Sequence, residues 1–188
     1  MHPRPSAPGR RSRSKEILRV RVLGIVGWSG SGKTTLITKL VPLLLARKLR
    51  ISTIKHAHAG FEMDSPGKDS FRHREAGAQE VLITSGKRWA LLHESPKEPK
   101  LGDLLARMME VDMVLVEGMK STHISKLEVH RPSLGKPPIW PGQADILAVA
   151  SDEPLNNCDR VVLPLSRPDR IVSWMLRLTG QEITRVNQ

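Results

Sequence analysis

GWSGSGKTT, running from Gly27 to Thr35, is the stretch that decides the fold. Its spacing, Gly27 followed by four residues and then Gly32-Lys33-Thr34, is that of a phosphate-binding P-loop. Upstream, residues 17–26 (ILRVRVLGIV) are apolar and β-branched, the composition of a buried strand. Downstream, LITKLVPLLLARK at 36–48 repeats apolar residues at helical spacing, with Pro42 expected to kink the helix. The pattern thus lies where it has chemical meaning, in the turn between a strand and a helix. Glycines let the backbone approach a phosphate where a Cβ would obstruct it. Successive N–H groups from Ser29 through Gly30, Ser31 and Gly32 to Thr34 are expected to form an anion nest. The helix beginning near Lys33 adds its positive dipole end. Lys33 is expected to reach the β- and γ-phosphates, and the Thr34 hydroxyl to bind Mg²⁺.

Outward from the loop the chain alternates strands and helices. ISTIK at 51–55 reads as a strand, followed by a polar loop, HAHAGFEMDSPGKD, at 56–69. FRHREAGA reads as a short helix ended by Gly77. VLITS and WALLHE are strands of a hairpin around Gly86-Lys87-Arg88. A helix over about 101–109 precedes the strand DMVLVEG at 112–118. KLEVHR at 126–131 alternates polar residues as a half-exposed strand does, and both it and the hairpin are expected at a sheet edge. ILAVAS at 146–151 and RVVLPL at 160–165 are apolar strands, and PDRIVSWMLRL closes the chain as an amphipathic helix. The alternation predicts an α/β fold of the P-loop NTPase type. Its sheet is mostly parallel, with helices on both faces and some antiparallel edge strands.

A P-loop needs a carboxylate to hold or orient hydrated Mg²⁺. Glu117 ends the strand MVLVE at the carboxyl edge of the sheet, where ligands bind in such folds. Asp64 and Asp69 in the loop and helix after ISTIK are the other candidates, and the spacing does not choose among the three. With Lys33, Asp69 and Glu117 form the candidate catalytic set. Asp152, at the end of ILAVAS, either accepts the N1–H and amine of guanine or caps the turn before Glu153-Pro154. A small-molecule kinase is the alternative use of the same loop, and Arg72 and Arg74 could cover its transferred phosphoryl group. His56 and His58 fall in a loop with no further ligand at zinc spacing.

The net charge of +11 is unevenly spread. Seven basic side chains and one acidic, Glu16, lie in the first 21 residues, so over half of the net charge sits there. Residues 1–16 read as a disordered basic tail, and 17–188 as one nucleotide-binding domain. With no Tyr and 2 Phe the chain has a poor base-stacking platform, although Trp28, Trp89, Trp140 and Trp174 remain, and this argues against nucleic acid as a partner. No apolar run approaches the roughly 20 residues that span a bilayer. The basic start also lacks the h-region of a signal peptide, so a cytoplasmic location is expected. The single Cys158 cannot make an internal disulfide.

Four segments together resemble the molybdopterin-guanine dinucleotide biosynthesis adaptor (MobB) family. They are GIVGWSGSGKTTL, KHAHAGFEMDSPGKDSFRHREAGA, RWALLHE, and DMVLVEGMKSTHISKLEVHR followed by ILAVASD. The resemblance runs from about residue 21 to 175. It implies a GTP-binding homodimer with slow GTP hydrolysis, working beside the guanylyltransferase MobA and other molybdenum-cofactor assembly proteins. It maps GTP onto Gly30, Ser31, Gly32, Lys33, Thr34 and Thr35, within the wider set that includes Gly27 and Ser29. Where the family often has two adjacent histidines, this chain has His58 followed by Ala59.

Overall fold

The computed structural model describes residues 20–57, 64–178 and 184–185. The basic tail 1–16 and His58 lie outside the described residues. Strand β1 (Arg21–Val26) is buried along all but its first residue, because it lies in the middle of a parallel sheet. The strands of that sheet run in the order β2 (Ile51–Lys55), β5 (Met113–Glu117), β1, β6 (Lys126–His130), β7 (Ile146–Ser151), β8 (Val161–Pro164). All these pairings are parallel, from Arg21 opposite Met113 to Ser151 opposite Pro164. A two-residue strand, β9 (Thr184–Arg185), runs antiparallel beside the start of β1, at Arg21 and Val22. This is the P-loop NTPase-like architecture expected from the motif and the alternation of elements.

Side-chain alternation along each strand divides the core between two faces. On one face Leu23, Ile25, Met113, Leu115, Leu127 and Val129 pack under α1 (Lys33–Leu45) and α4 (Pro168–Arg177). On the other, Val22, Val114 and Val116 pack with Leu101 and Leu105 of α3 (Leu101–Ala106). Further along that second face, Val26, Ile146 and Val149 pack with Trp140. Helix α1 runs through Pro42 without a break, and at its end the Ala46 N–H bonds the Pro42 carbonyl (2.9 Å). The missing Pro42 N–H frees the Thr38 carbonyl, and both residues are exposed, so water can take the bond. Helix α3 stops at Ala106, three residues short of the expected end. Among the described residues no helix is long and apolar enough to cross a membrane.

Two expectations about edges have different outcomes. β3 (Glu80–Ser85) and β4 (Arg88–His93) do form an antiparallel hairpin, outside the main sheet and packed against α2 (Asp69–Glu75). The strand read from KLEVHR is not at an edge. β6 lies between β1 and β7 with all five residues buried. Its alternating polar residues face the segment 131–145, which folds back over them, and each finds a protein partner there. Lys126 pairs with Asp145, and both Glu128 oxygens accept the N–H groups of Ile139 and Trp140 (2.8–3.1 Å). His130 meets the Trp140 ring edge-on, with centroids 5.4 Å apart. Its Nδ1 lies 3.9 Å from Glu128 Oε1.

Candidate functional site

Parallel strands deliver their carboxyl ends to one edge of the sheet. There the loop after β1, His56 after β2, Gly118 after β5, Arg131 after β6 and Asp152 after β7 converge. The loop after β1 is packed tightly at its base. A Cβ on Gly27 would sit 2.4 Å from the Val129 carbonyl oxygen and 2.7 Å from Ser31 Oγ, so only glycine fits. Gly32, at φ 95°, is left-handed and leads directly into α1. The first helical bond is Leu36 N–H to the Gly32 carbonyl (2.8 Å). The N–H groups of Lys33, Thr34 and Thr35 therefore have no acceptor within the helix. Ser31 N–H closes the turn onto the Trp28 carbonyl (3.2 Å), while Ser29, Gly30, Thr34 and Thr35 lie exposed at the mouth.

Two side chains of the loop are held by contacts that a phosphate complex would use. Lys33 Nζ donates to the carbonyls of Gly27 (3.1 Å) and Trp28 (2.9 Å), so its ammonium lies along the loop rim. Burial lowers its pKa, as do the nearby Lys120 and Lys55 charges, while Glu117 opposes them. Thr34 Oγ1 donates its proton to Glu117 Oε1 (2.7 Å). That bond leaves the Thr34 oxygen lone pairs free and holds a buried carboxylate next to them, a donor set suited to hydrated Mg²⁺. Among the described residues, Ser31 Oγ is buried at the base of the loop beside Gly27 and has no hydrogen-bond partner. These features together fit a nucleoside polyphosphate with Mg²⁺.

The other expected residues fall into two groups. Asp152 joins the loop through Arg131, whose Nε donates to the Ser31 carbonyl (2.9 Å) and whose guanidinium bonds Asp152 Oδ2 (2.5 Å). The turn after β7 is capped by Ser151 Oγ, which accepts Glu153 N–H (3.2 Å); capping is not done by Asp152. Asp64 is instead engaged at α2, accepting the Ser70 hydroxyl (2.7 Å) and lying 3.8 Å from Arg74. Asp69 is exposed in the first turn of α2. Arg74 also binds Glu94 (2.7 Å) and stacks over Phe71, so it ties α2 to the hairpin.

The sequence did not mark Arg131 or Lys120, and Trp28 entered only as one of four tryptophans. Trp28 Nε1 donates to the Pro137 carbonyl (2.7 Å), and its ring carries the Lys120 ammonium at 4.0 Å. A signal for Lys120 was present in the glycine that follows Glu117, which allows the chain to double back at a strand end.

The sequence pattern of the family described as molybdopterin guanine dinucleotide synthesis protein B matches residues 22–152. The chain belongs to this family. A molybdopterin-guanine dinucleotide biosynthesis adapter protein from Haemophilus influenzae is 42% identical over 169 residues, covering 86% of this chain and 93% of the relative. The Escherichia coli adapter protein is 40% identical over 170 residues, covering 86% and 97%. Among solved structures, a molybdopterin-guanine biosynthesis protein B superposes with a TM-score of 0.66 at 29% identity, covering 84% of this chain and 99% of that one. A MobB homologue from Bacillus stearothermophilus gives 0.59 at 27% identity, covering 82% and 94%. The residues matched by the family pattern hold the whole P-loop, Glu117, Arg131 and Asp152.

Proposed function

We propose that this chain is a GTP-binding adaptor that assists the conversion of molybdopterin to molybdopterin guanine dinucleotide, with weak Mg²⁺-dependent GTPase activity. The observation that carries the nucleotide reading is the 2.7 Å bond from Thr34 to Glu117 inside a complete P-loop. It favours Glu117 over Asp64 and Asp69 as the carboxylate beside the metal, because Asp64 is held by Ser70 and Asp69 lies exposed on α2. In the complex, the N–H groups of the loop and of Lys33, Thr34 and Thr35 would hold phosphate oxygens, and Lys33 would exchange its carbonyl partners for the β- and γ-phosphates. Mg²⁺ supplies neutralisation of the phosphate charge when bound.

Guanine selection rests on Asp152. Arg131 takes one of its carboxylate oxygens and leaves the other for the donors of a guanine edge. Adenine lacks those donors and would leave the carboxylate unpaired. The adaptor half of the proposal is supported by the two relatives whose names carry that role. The partner is then the guanylyltransferase MobA, acting with other cofactor-assembly proteins in the cytoplasm. The region from residue 17 onward serves as one nucleotide-binding domain. A homodimer is part of the same reading, supported by the apolar face that the hairpin exposes at Leu82, Trp89 and Leu91. Reconstitution of molybdopterin guanine dinucleotide synthesis from purified guanylyltransferase, molybdopterin and GTP tests the whole. Addition of this protein should raise the yield, and Lys33→Ala should not. An unchanged yield with the parent protein would refute the adaptor reading.

A further inference from the structure

The chain leaves β5 through a turn that an ordinary side chain avoids. Gly118 has φ 93° and Met119 has φ 52°, two successive left-handed residues of which the second carries a Cβ. Strain of this kind persists only where the surroundings over-determine it, and it gathers at functional sites. Here Gly118 N–H bonds the Ile25 carbonyl of β1 (3.1 Å), and Met119 is buried in the cluster beneath α3. The consequence is direction. The next residue, Lys120, is returned across the phosphate loop, and its ammonium rests 4.0 Å from the centre of the Trp28 ring. That ring is itself fixed by the bond from Nε1 to Pro137.

Electrostatics place the same ammonium near the site's other charges. It acts on Lys33, the residue expected at the terminal phosphates, and on Glu128 of β6. Among the described residues, Lys120 takes part in no ion pair. A half-exposed lysine on a tryptophan face is weakly held, whereas a lysine on a phosphate oxygen makes a charge-assisted hydrogen bond. An anion on the loop would therefore draw it off the ring. Crowding by a second lysine also gives Lys33 a reason to depend on the added negative charge.

We propose that Lys120 is a contact to the terminal phosphate, leaving the Trp28 ring when a nucleoside triphosphate occupies the loop, and that it makes the site distinguish triphosphate from diphosphate. The proposal rests on the nucleotide reading given above and adds to it the residue that senses the γ-phosphate.

The test is to measure GTP and GDP affinities, with Mg²⁺, for the parent, Lys120→Met and Lys120→Arg, together with tryptophan emission. Lys120→Met should lose roughly tenfold in GTP affinity, the loss of one charge-assisted bond, with GDP affinity unchanged. Lys120→Arg should keep most of the preference. Tryptophan emission of the parent should change on adding GTP more than on adding GDP, and that difference should vanish in both Trp28→Phe and Lys120→Met. Equal losses for GTP and GDP in Lys120→Met would overturn the proposal, because they would mark Lys120 as a mere support for the Trp28 ring. So would an unchanged GTP-to-GDP ratio. A parent that binds neither nucleotide would overturn the nucleotide reading itself, and Lys33→Ala separates the cases. GTP binding lost in Lys33→Ala but untouched in Lys120→Met refutes only the role given to Lys120.

Discussion

Strand β6 keeps Lys126, Glu128 and His130 at 1%, 0% and 6% exposure, whereas the β3–β4 hairpin leaves Leu82 and Trp89 at 58% and 65%. The arrangement inverts what residue type alone suggests. What covers each element explains the difference. β6 lies mid-sheet, and the segment 131–145 brings Asp145 and two backbone N–H groups to its polar row. The Lys126 stem also finds room, because a Cβ on Gly24 of β1 would come within 3.1 Å of it. The hairpin has α2 on its flank, yet among the described residues nothing covers the face shared by Leu82, Leu91 and Trp89. Polar residues can be buried if every one is paired, and apolar ones stay exposed until a second surface arrives.

The largest expected effect comes from breaking the paired row. Glu128→Ala leaves the Ile139 and Trp140 N–H groups without their acceptor and opens a void, which should cost about 2–4 kcal/mol of stability. Trp89→Ala, on the exposed hairpin face, should change monomer stability by no more than about 0.5 kcal/mol. Urea denaturation of both variants, at concentrations low enough that any dimer has dissociated, checks the contrast, and a reversed order would contradict it.

The next effect concerns the missing cover. If a second copy supplies it, the protein is a homodimer at micromolar concentration, with Trp89 near the centre of the contact. Trp89→Asp should then weaken association by at least about 2 kcal/mol, more than tenfold in Kd. Light scattering that gives a monomer mass for the parent at that concentration would remove the dimer reading.

The smallest effect is in pH. Burial pushes the Glu128 carboxyl above its ordinary 4.5, against the pull of the Ile139 and Trp140 N–H groups and of the His130 and Lys120 charges. A group whose pKa is raised by folding contributes fully below its unfolded value, and the contribution fades as the pH climbs through the folded value. The stability of the parent relative to Glu128→Gln should accordingly fall as the pH rises above 4.5. A difference that stays flat across that range would mean burial does not act on this carboxyl as described.

How much of this was legible in the sequence follows from the same contrast. The P-loop could be read because its spacing fixes both the local geometry and the elements on either side. The bounds of β2 followed from its β-branched run, and the hairpin from two such runs and a short glycine turn, to within one residue at its ends. The placement of β6 could not be read, because polar alternation looks the same under solvent and under a covering segment. Arg131 was equally hidden, and Gly118 marked only that the chain turns before Lys120. Arg131 reaches Ser31, which is distant in sequence, and Lys120 is aimed by a left-handed Met119 that no propensity rule anticipates. Among the three carboxylates, only contacts made by folding separate Glu117, bonded to Thr34, from Asp64, bonded to Ser70.

The claim on which the account depends is that the loop from Gly27 to Thr35 holds a guanine nucleotide by its phosphates. Calorimetric titration of GTP with Mg²⁺ into the parent and into Lys33→Ala, with ATP as competitor, tests it most directly. Saturable binding by the parent and a preference for GTP over ATP are expected. Binding to Lys33→Ala should be weaker by about 1.5–3 kcal/mol, roughly one to two decades, at unchanged Tm. Equal GTP affinity in the parent and in a folded Lys33→Ala protein would contradict it.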